Sequence, residues 1–389
     1  MIKIQKMFKQ IDWVMVLIFA IAFWLRITSA FESPVELIEK EEFIPFASSI
    51  SWSHLPIREY QHAALPGYLI KVSSVFFGTS LFGYRIFNVF AGIGTIVLLY
   101  MIGRRWWGAR VGSWAAFLMA VDRYHINISA RAIDLSFDLF FIALAMWAFS
   151  RFLHSVRITH EQDIVPQPKW LYIAATASGL GFLCKEITAL MLPVFFMAIL
   201  FSKERYWLKR KDPWLAALFF IIIISPDILW NFIAAVQNQK PEYYMNYSDH
   251  LSRISSMGLN EQPWLFYFGD VFDWLGVPYR NEFSEFPFMK PLLGVILWAG
   301  VIYCALCKNK DSQTVFLLVM FIVIFIFFAS INLKAPNRPH LRTDAIGSWY
   351  WVDRTMLAAT LLSGRLLAVV TTIMVHWLRP GKSTERVEN

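Results

Sequence analysis

The strongest constraint on this chain is the recurrence of apolar stretches close to the length that crosses a bilayer. A hydrocarbon core about 30 Å thick takes roughly 20 apolar residues in helical form. Ten stretches approach that length, near 11–30, 86–103, 111–128, 135–153, 170–184, 187–201, 213–233, 289–307, 314–332 and 350–378. Inside lipid no water is available to satisfy backbone N–H and C=O groups, so such stretches are expected to be helices. With 57% hydrophobic and only 16% charged residues, the chain is not an ordinary soluble domain. The expectation is an all-α integral membrane protein, a bundle of about ten transmembrane helices. A further apolar piece at 65–78 is too short to cross comfortably and carries Lys71, so it is expected as a juxtamembrane helix on the outer face. The first stretch follows Lys3, Lys6 and Lys9 and has no small-residue cleavage site behind it, which predicts an anchor rather than a cleaved leader. Cys184, Cys304 and Cys307 lie in or beside apolar spans without a paired framework, so neither a disulfide nor a thiolate metal site is expected.

Charge orients the bundle. With the N-terminus in the cytoplasm, the inner segments hold 19 Lys and Arg in 65 residues, against 15 in 149 for the outer segments. That is the asymmetry of positive-inside insertion, and a shift by one span would reverse it. The expected location is therefore a multi-pass protein of the cell (plasma) membrane with its active site on the extracytoplasmic face. The net charge of +8 is scattered between spans rather than gathered in one stripe, so no nucleic-acid partner is implied.

This threading sends an unusual set of polar residues outward. The first outer loop carries Glu32, Glu36, Glu39, Glu41 and Glu42. On a continuous helix, Glu32, Glu36, Glu39 and Glu42 would stack on one face, with Pro45 kinking or restarting that helix. A solvated acidic loop is the plain alternative. Arg85, Asp122, Arg123, His125, Arg131, Asp134, Lys185, Glu186 and Asp227 fall on the same side. Ionisable residues at membrane depth are costly, so they usually line a cavity or pair with one another. Lys185 is the hardest to dismiss, because it joins two apolar spans with no loop in which to be solvated; its plain reading is pairing with Glu186 or snorkelling. Asp134 could simply be an acid at a helix N-terminus, with Asp138 its rival one turn on. His62 could face headgroups, ligate a metal or touch an acceptor; with no second His at ligand spacing, metal is disfavoured.

A carboxylate facing cations across a membrane cavity suits transfer of a group away from a phosphate: the acid takes the acceptor's proton and the cations stabilise the departing charge. No Walker loop, His-Glu-x-x-His or Gly-x-Ser-x-Gly is present, so ATP hydrolysis is not suggested. A transporter or flippase for lipid-linked sugars, or an assembly scaffold, would gather charges in the same way, although matched broken helices in two halves are not evident.

Four stretches resemble the GT-C class of membrane glycosyltransferases, family 39, which includes protein O-mannosyltransferases and the aminoarabinose transferase of lipid A. Phe43, Phe46, Ala47 and Ser48 hold the register of the family's first outer loop, with Glu39 where its Asp stands and Lys40 where its Glu stands. Gln61-His-Ala-Ala-Leu-Pro-Gly-Tyr68 is similar to the family's His-Pro-Pro-Leu segment, with Ala63 and Ala64 in place of both prolines, and leads into Phe77-Gly-Thr-Ser-Leu-Phe-Gly-Tyr-Arg85. Ser129-Ala-Arg-Ala-Ile-Asp134 resembles the loop supplying a second acid, and Gly179-Leu-Gly-Phe-Leu-Cys-Lys-Glu186 the segment whose Lys meets the donor phosphate. The resemblance implies a GT-C-like bundle that moves a sugar from a polyprenyl-phosphate donor to an extracytoplasmic protein, lipid or polysaccharide. It implies Glu39 and Asp134 as catalytic acids, and Arg85, Lys185, His62, Arg131 and Glu42 as substrate-binding residues, with Glu41 in reserve. No cofactor is named, and a divalent cation stays open. Residues 1–235 are expected to form the catalytic membrane core with the first outer loop at 31–85. Residues 236–288 would be an extracytoplasmic loop, 289–378 C-terminal spans and 379–389 a cytoplasmic tail. Because so little chain follows the last span, acceptor recognition is expected from the outer loops or a partner.

Overall fold

The protein is seen in a computed structural model, described at residues 13–36, 39–56, 64–162, 167–201, 205–236, 289–308, 310–330 and 343–377. Helix α1 (Trp13–Glu32) leads through an irregular segment to a π-helical turn (Glu39–Phe43) and α2 (Ile44–Ser49). Next come α3 (Leu65–Phe77), α4 (Leu81–Trp107), α5 (Ala109–Val121), α6 (Arg123–Ser129), α7 (Leu135–Gln162) and α8 (Lys169–Phe182). A 3₁₀ turn (Glu186–Leu190) enters α9 (Met191–Phe201), a second (Arg205–Lys209) enters α10 (Lys211–Val236), and α11 (Met289–Leu306), α12 (Ser312–Ser330) and α13 (Thr343–Trp377) follow. Each expected span has a helix at its place. Among the described residues, five helices are long and apolar enough to cross a membrane: Trp13–Glu32, Leu81–Trp107, Leu135–Leu153, Lys211–Ile233 and Met356–Val375. The remaining apolar helices are shorter.

Local chemistry sets the boundaries. Ser80 caps α4 by accepting the Gly83 N–H, and Gly108, at φ 95°, ends it by returning its N–H to the Arg104 carbonyl. That positive φ is cheap for glycine and lets α5 fold back antiparallel to α4. The two helices then pack at backbone distance, since a Cβ on Gly103 would stand 2.8 Å from the Gly112 Cα. Two expected spans are broken in ways periodicity does not reveal. The stretch 111–128 divides at Asp122, whose extended backbone ends α5 while its side chain caps α6 from the His125 N–H; short acids favour such caps over helix interiors. The stretch 187–201 opens as a 3₁₀ turn before Pro193, which has no N–H to continue an α-helical ladder backwards.

The first outer loop also differs from expectation. Helix α1 ends at Glu32, residues 33–36 are not helical and a π-helical turn spans Glu39–Phe43, so the acids share no continuous face. Glu39 turns fully inward, Glu36 and Glu42 are half-buried, and Glu32 and Glu41 are exposed. Pro45 does restart a helix, at the first turn of α2.

Helix α7 is the central post, packed on α4 and α8, while α13 closes the far side against α5, α11 and α12. Phe149 of α7 stacks on Phe195 of α9 at 4.5 Å and meets Phe316 of α12 at 4.9 Å. The periphery is the reverse of a soluble protein's: Trp214, Leu218, Ile221, Ile222, Leu229 and Phe232 line the outside of α10. Buried ions and exposed aliphatics together are what lipid selects.

Candidate active site

Glu39 and Arg85, both fully buried, form an ion pair beneath the first loop. Arg85 donates from Nε to Glu39 Oε1 at 2.8 Å and from Nη2 to Oε2 at 2.6 Å, a bidentate fork that only arginine presents. The remaining acceptor positions are filled by the Ala132 N–H on Oε1 at 2.7 Å and the Glu36 N–H on Oε2 at 3.0 Å. A carboxylate has about four lone-pair sites, and all four are engaged here. Arg85 also donates to the carbonyls of Ala30, Ser33 and Pro34. The pair therefore closes the end of α1, the irregular segment after it and the loop before α7 onto α4. In this arrangement Glu39, expected as a catalytic acid, is fully engaged with Arg85 and two backbone N–H groups.

Asp134 and Lys185 meet at 2.6 Å from Nζ to Oδ2, with side chains 5% and 9% exposed. They are 51 residues apart in the chain. Asp134 stands immediately before α7 and Lys185 between α8 and the 3₁₀ turn, so the close packing of α7 on α8 brings them together. One turn deeper, Asp138 accepts a hydrogen bond from the Thr188 hydroxyl. Cys184 is buried beside both acids. Arg131 pairs with Glu36 and donates from Nε to Asn127 Oδ1 at 2.7 Å. The strip 130–134 thus touches Glu39 through Ala132, Glu36 through Arg131 and Lys185 through Asp134. Of the expected site residues, Glu39, Arg85, Arg131, Asp134 and Lys185 gather around this strip; Glu42 is half-buried in the π turn, and His62 lies outside the described residues.

No group of three or more His, Cys, Asp or Glu able to hold a metal occurs among the described residues. Each of the two principal acids of the site already has a cationic partner. Among the described residues, that donor set does not fit a divalent cation.

Residues 61–230 match the family described as dolichyl-phosphate-mannose-protein mannosyltransferase. The "Undecaprenyl phosphate-alpha-4-amino-4-deoxy-L-arabinose arabinosyl transferase 2" of Proteus mirabilis is 22% identical over 73% of this chain and 48% of its own length. ArnT from Cupriavidus metallidurans, solved bound to undecaprenyl phosphate, superposes with a TM-score of 0.63 at 17% identity, covering 94% of this chain and 63% of that one. The Archaeoglobus fulgidus oligosaccharyltransferase AglB, in complex with an inhibitory peptide and a dolichol-phosphate, gives 0.56 at 12% identity, covering 97% and 53%. This chain has the GT-C fold. It spans about half the length of the curated relatives it matches.

Within this GT-C core, several residues that shape the site were not singled out from sequence. Asn88 donates from Nδ2 to the Ile133 carbonyl at 2.6 Å and to Ser136 Oγ at 2.9 Å, fixing the strip from the α4 side. Its signal was an amide three residues after Arg85, on the same helix face of an otherwise apolar span. Arg26, fully buried in α1, donates to the Met119 and Ala120 carbonyls and lies 2.6 Å from His125 Nδ1. Arginine can only donate, so His125 accepts through Nδ1 and its ring is neutral. Burial first, and the Arg26 charge second, hold the His125 pKa well below its ordinary 6.5.

Proposed function

We propose that this protein is a membrane glycosyltransferase that moves a sugar from a polyprenyl-phosphate carrier to an acceptor hydroxyl outside the cytoplasm. The observation that carries the reading is the shielded Asp134–Lys185 pair, set in a fold that matches a protein solved with undecaprenyl phosphate. The relatives named as arabinosyl transferases support transfer from such a carrier. The charge asymmetry of the loops supports an outward-facing site with a cytoplasmic N-terminus, in the cell membrane.

The donor brings a phosphate and Lys185 is the cation that meets it. As Lys185 turns to the donor, Asp134 is freed to accept the proton of the acceptor hydroxyl. The acceptor oxygen bonds to the anomeric carbon, the bond from that carbon to the phosphate oxygen breaks, and its electrons leave with the polyprenyl phosphate. One displacement inverts the anomeric carbon. Lys185 then neutralises the negative charge on the departing group. Glu39 and Arg85 hold the loop that supplies Asp134 rather than reacting themselves, and Arg131 ties the same strip to Glu36 and Asn127.

The test is incubation of purified protein with a polyprenyl-phosphate sugar, with and without acceptor. A transferase releases polyprenyl phosphate once acceptor is present, whereas a carrier of the same lipid releases none. Asp134→Asn and Lys185→Ala are each expected to reduce release by about a hundredfold or more. Full release by both variants would overturn the assignment.

A further inference from the structure

A second polar site lies at the opposite end of the bundle. Helix α4 carries Arg85 near its start and Arg104 and Arg105 in its last turn, and 20 residues of helix rise separate the two ends by roughly 30 Å. Arg151 stands at the matching level of α7, which packs on α4. Its guanidinium lies 5.1 Å from the Trp147 ring and 5.1 Å from the Trp170 ring, and these two rings meet edge to face at 5.4 Å. Lys169 adds a third cation 5.4 Å from Trp170. Along the packed helices α4 and α7, Asn88 meets Ser136 and Gly94 faces the Phe140 ring, and the same register carried about three turns further sets Arg105 beside Arg151, where their like charges oppose each other. The Nε atom of each is buried and has no hydrogen-bond partner, and neither arginine has an acidic partner among the described residues. Like charges drawn together with orphaned donors are costly, and an anion between them removes both penalties. Trp147 and Trp170 are the residue type that marks the headgroup level of a bilayer.

We propose that Arg105 and Arg151, walled by Trp147 and Trp170, bind the phosphate of an anionic phospholipid in the leaflet opposite the Asp134–Lys185 site. The two positive charges pair with the phosphodiester oxygens, and the indoles pack against the glycerol and the first methylenes. The site is independent of the transfer reaction and remains testable whichever way the chain is inserted.

Native mass spectrometry of the full chain in detergent, supplied with phosphatidylglycerol or phosphatidylcholine, tests this. Wild type and the charge-keeping Arg105→Lys are expected to retain one phosphatidylglycerol and to discriminate against phosphatidylcholine. Arg105→Gln and Arg151→Gln should each lower retention about tenfold, the loss of one charged hydrogen-bonding group. Arg110→Gln is the control: Arg110 is exposed at the same end and bonded to Thr372, and its loss should leave retention unchanged. Excess inorganic phosphate should not displace the lipid. The proposal falls if Arg105→Gln retains lipid like wild type, or if Arg110→Gln loses it equally. It also falls if phosphatidylcholine binds as well or free phosphate displaces the lipid. Should Arg151→Gln fail to fold, the contrast between Arg105→Gln and Arg105→Lys decides alone, and equal behaviour of those two overturns it.

Discussion

Glu39 and Arg85 form a closed unit in which each atom able to bond does so, which makes its response to mutation asymmetric. Removing one partner strands the other charge without solvent, a loss of about 3–5 kcal/mol for buried pairs. Glu39→Ala is therefore expected to lower unfolding stability in detergent by that order and to reduce activity through misplacement of the 130–134 strip. Asp134→Asn leaves the buried Lys185 charge without its counter-ion, so it too is expected to lose stability, but unlike Glu39→Ala it should lose transfer by about a hundredfold or more even in the fraction that stays folded. A Glu39→Ala variant as stable as wild type would show that the clamp does not hold the loop. His125 gives a second residue-scale prediction. In α6, too short to span a membrane, its folded pKa lies well below 6.5. A base depressed by folding contributes stability that is complete above the unfolded pKa and is lost as pH falls through about 6.5 and below. Burial raises the pKa of neighbouring Asp122 to about 6, so its protonation acts in the opposite sense in the same range. The difference between wild type and His125→Gln isolates the histidine: the wild type's advantage in melting temperature should shrink between about pH 7 and about pH 5. A difference constant across that range would remove the neutral-ring assignment.

Helices meet at backbone distance where α4 and α5 cross, and the cost of a side chain there is readable. A methyl on Gly103 would approach the Gly112 Cα to 2.8 Å, and backbone cannot swing aside as a flexible side chain can. Gly103→Ala is expected to destabilise by about 1–3 kcal/mol, and Gly103→Leu by more, measured as loss of folded protein on heating in detergent. Helix placement was legible in the sequence because lipid imposes one simple demand, a long apolar run, and helix is found at each expected stretch, although the one at 111–128 divides at Asp122 and the one at 187–201 opens as a 3₁₀ turn. The meeting of Asp134 with Lys185 was legible in part, since a lysine confined between two apolar spans requires a partner, although Glu186 was the nearer candidate. What stayed hidden depended on turns rather than periods. Glu39 reaches Arg85 because the chain breaks after Glu32 and rewinds through a π turn, and no spacing rule encodes that rotation. Asn88 was hidden differently, as a single amide whose bonds go to a loop carbonyl 45 residues away and to the Ser136 hydroxyl just beyond it.

At the scale of the molecule, the proposed reaction depends on which side of the membrane the 130–134 strip faces. Nucleotide sugars belong to the cytoplasm, whereas a lipid-borne donor is required only outside it, so insertion the other way round would remove the reason for a polyprenyl carrier. The two ends of the bundle are distinguishable: Ser49, exposed in α2, lies at the Asp134 end, and Tyr206, exposed after α9, lies at the other. A background without reactive thiols is accessible through Cys307→Ser alone, because Cys184 and Cys304 are buried and Cys307 is partly exposed. In that background, a membrane-impermeant maleimide applied to intact cells is expected to label Ser49→Cys and to label Tyr206→Cys only after permeabilisation. Neither substitution adds or removes a Lys or Arg, so the charge bias that orients the chain is left as it was. Labelling of Tyr206→Cys in intact cells, with Ser49→Cys protected, would place Lys185 and Asp134 at the cytoplasmic side and overturn the extracytoplasmic transferase, whatever activity the purified protein retained.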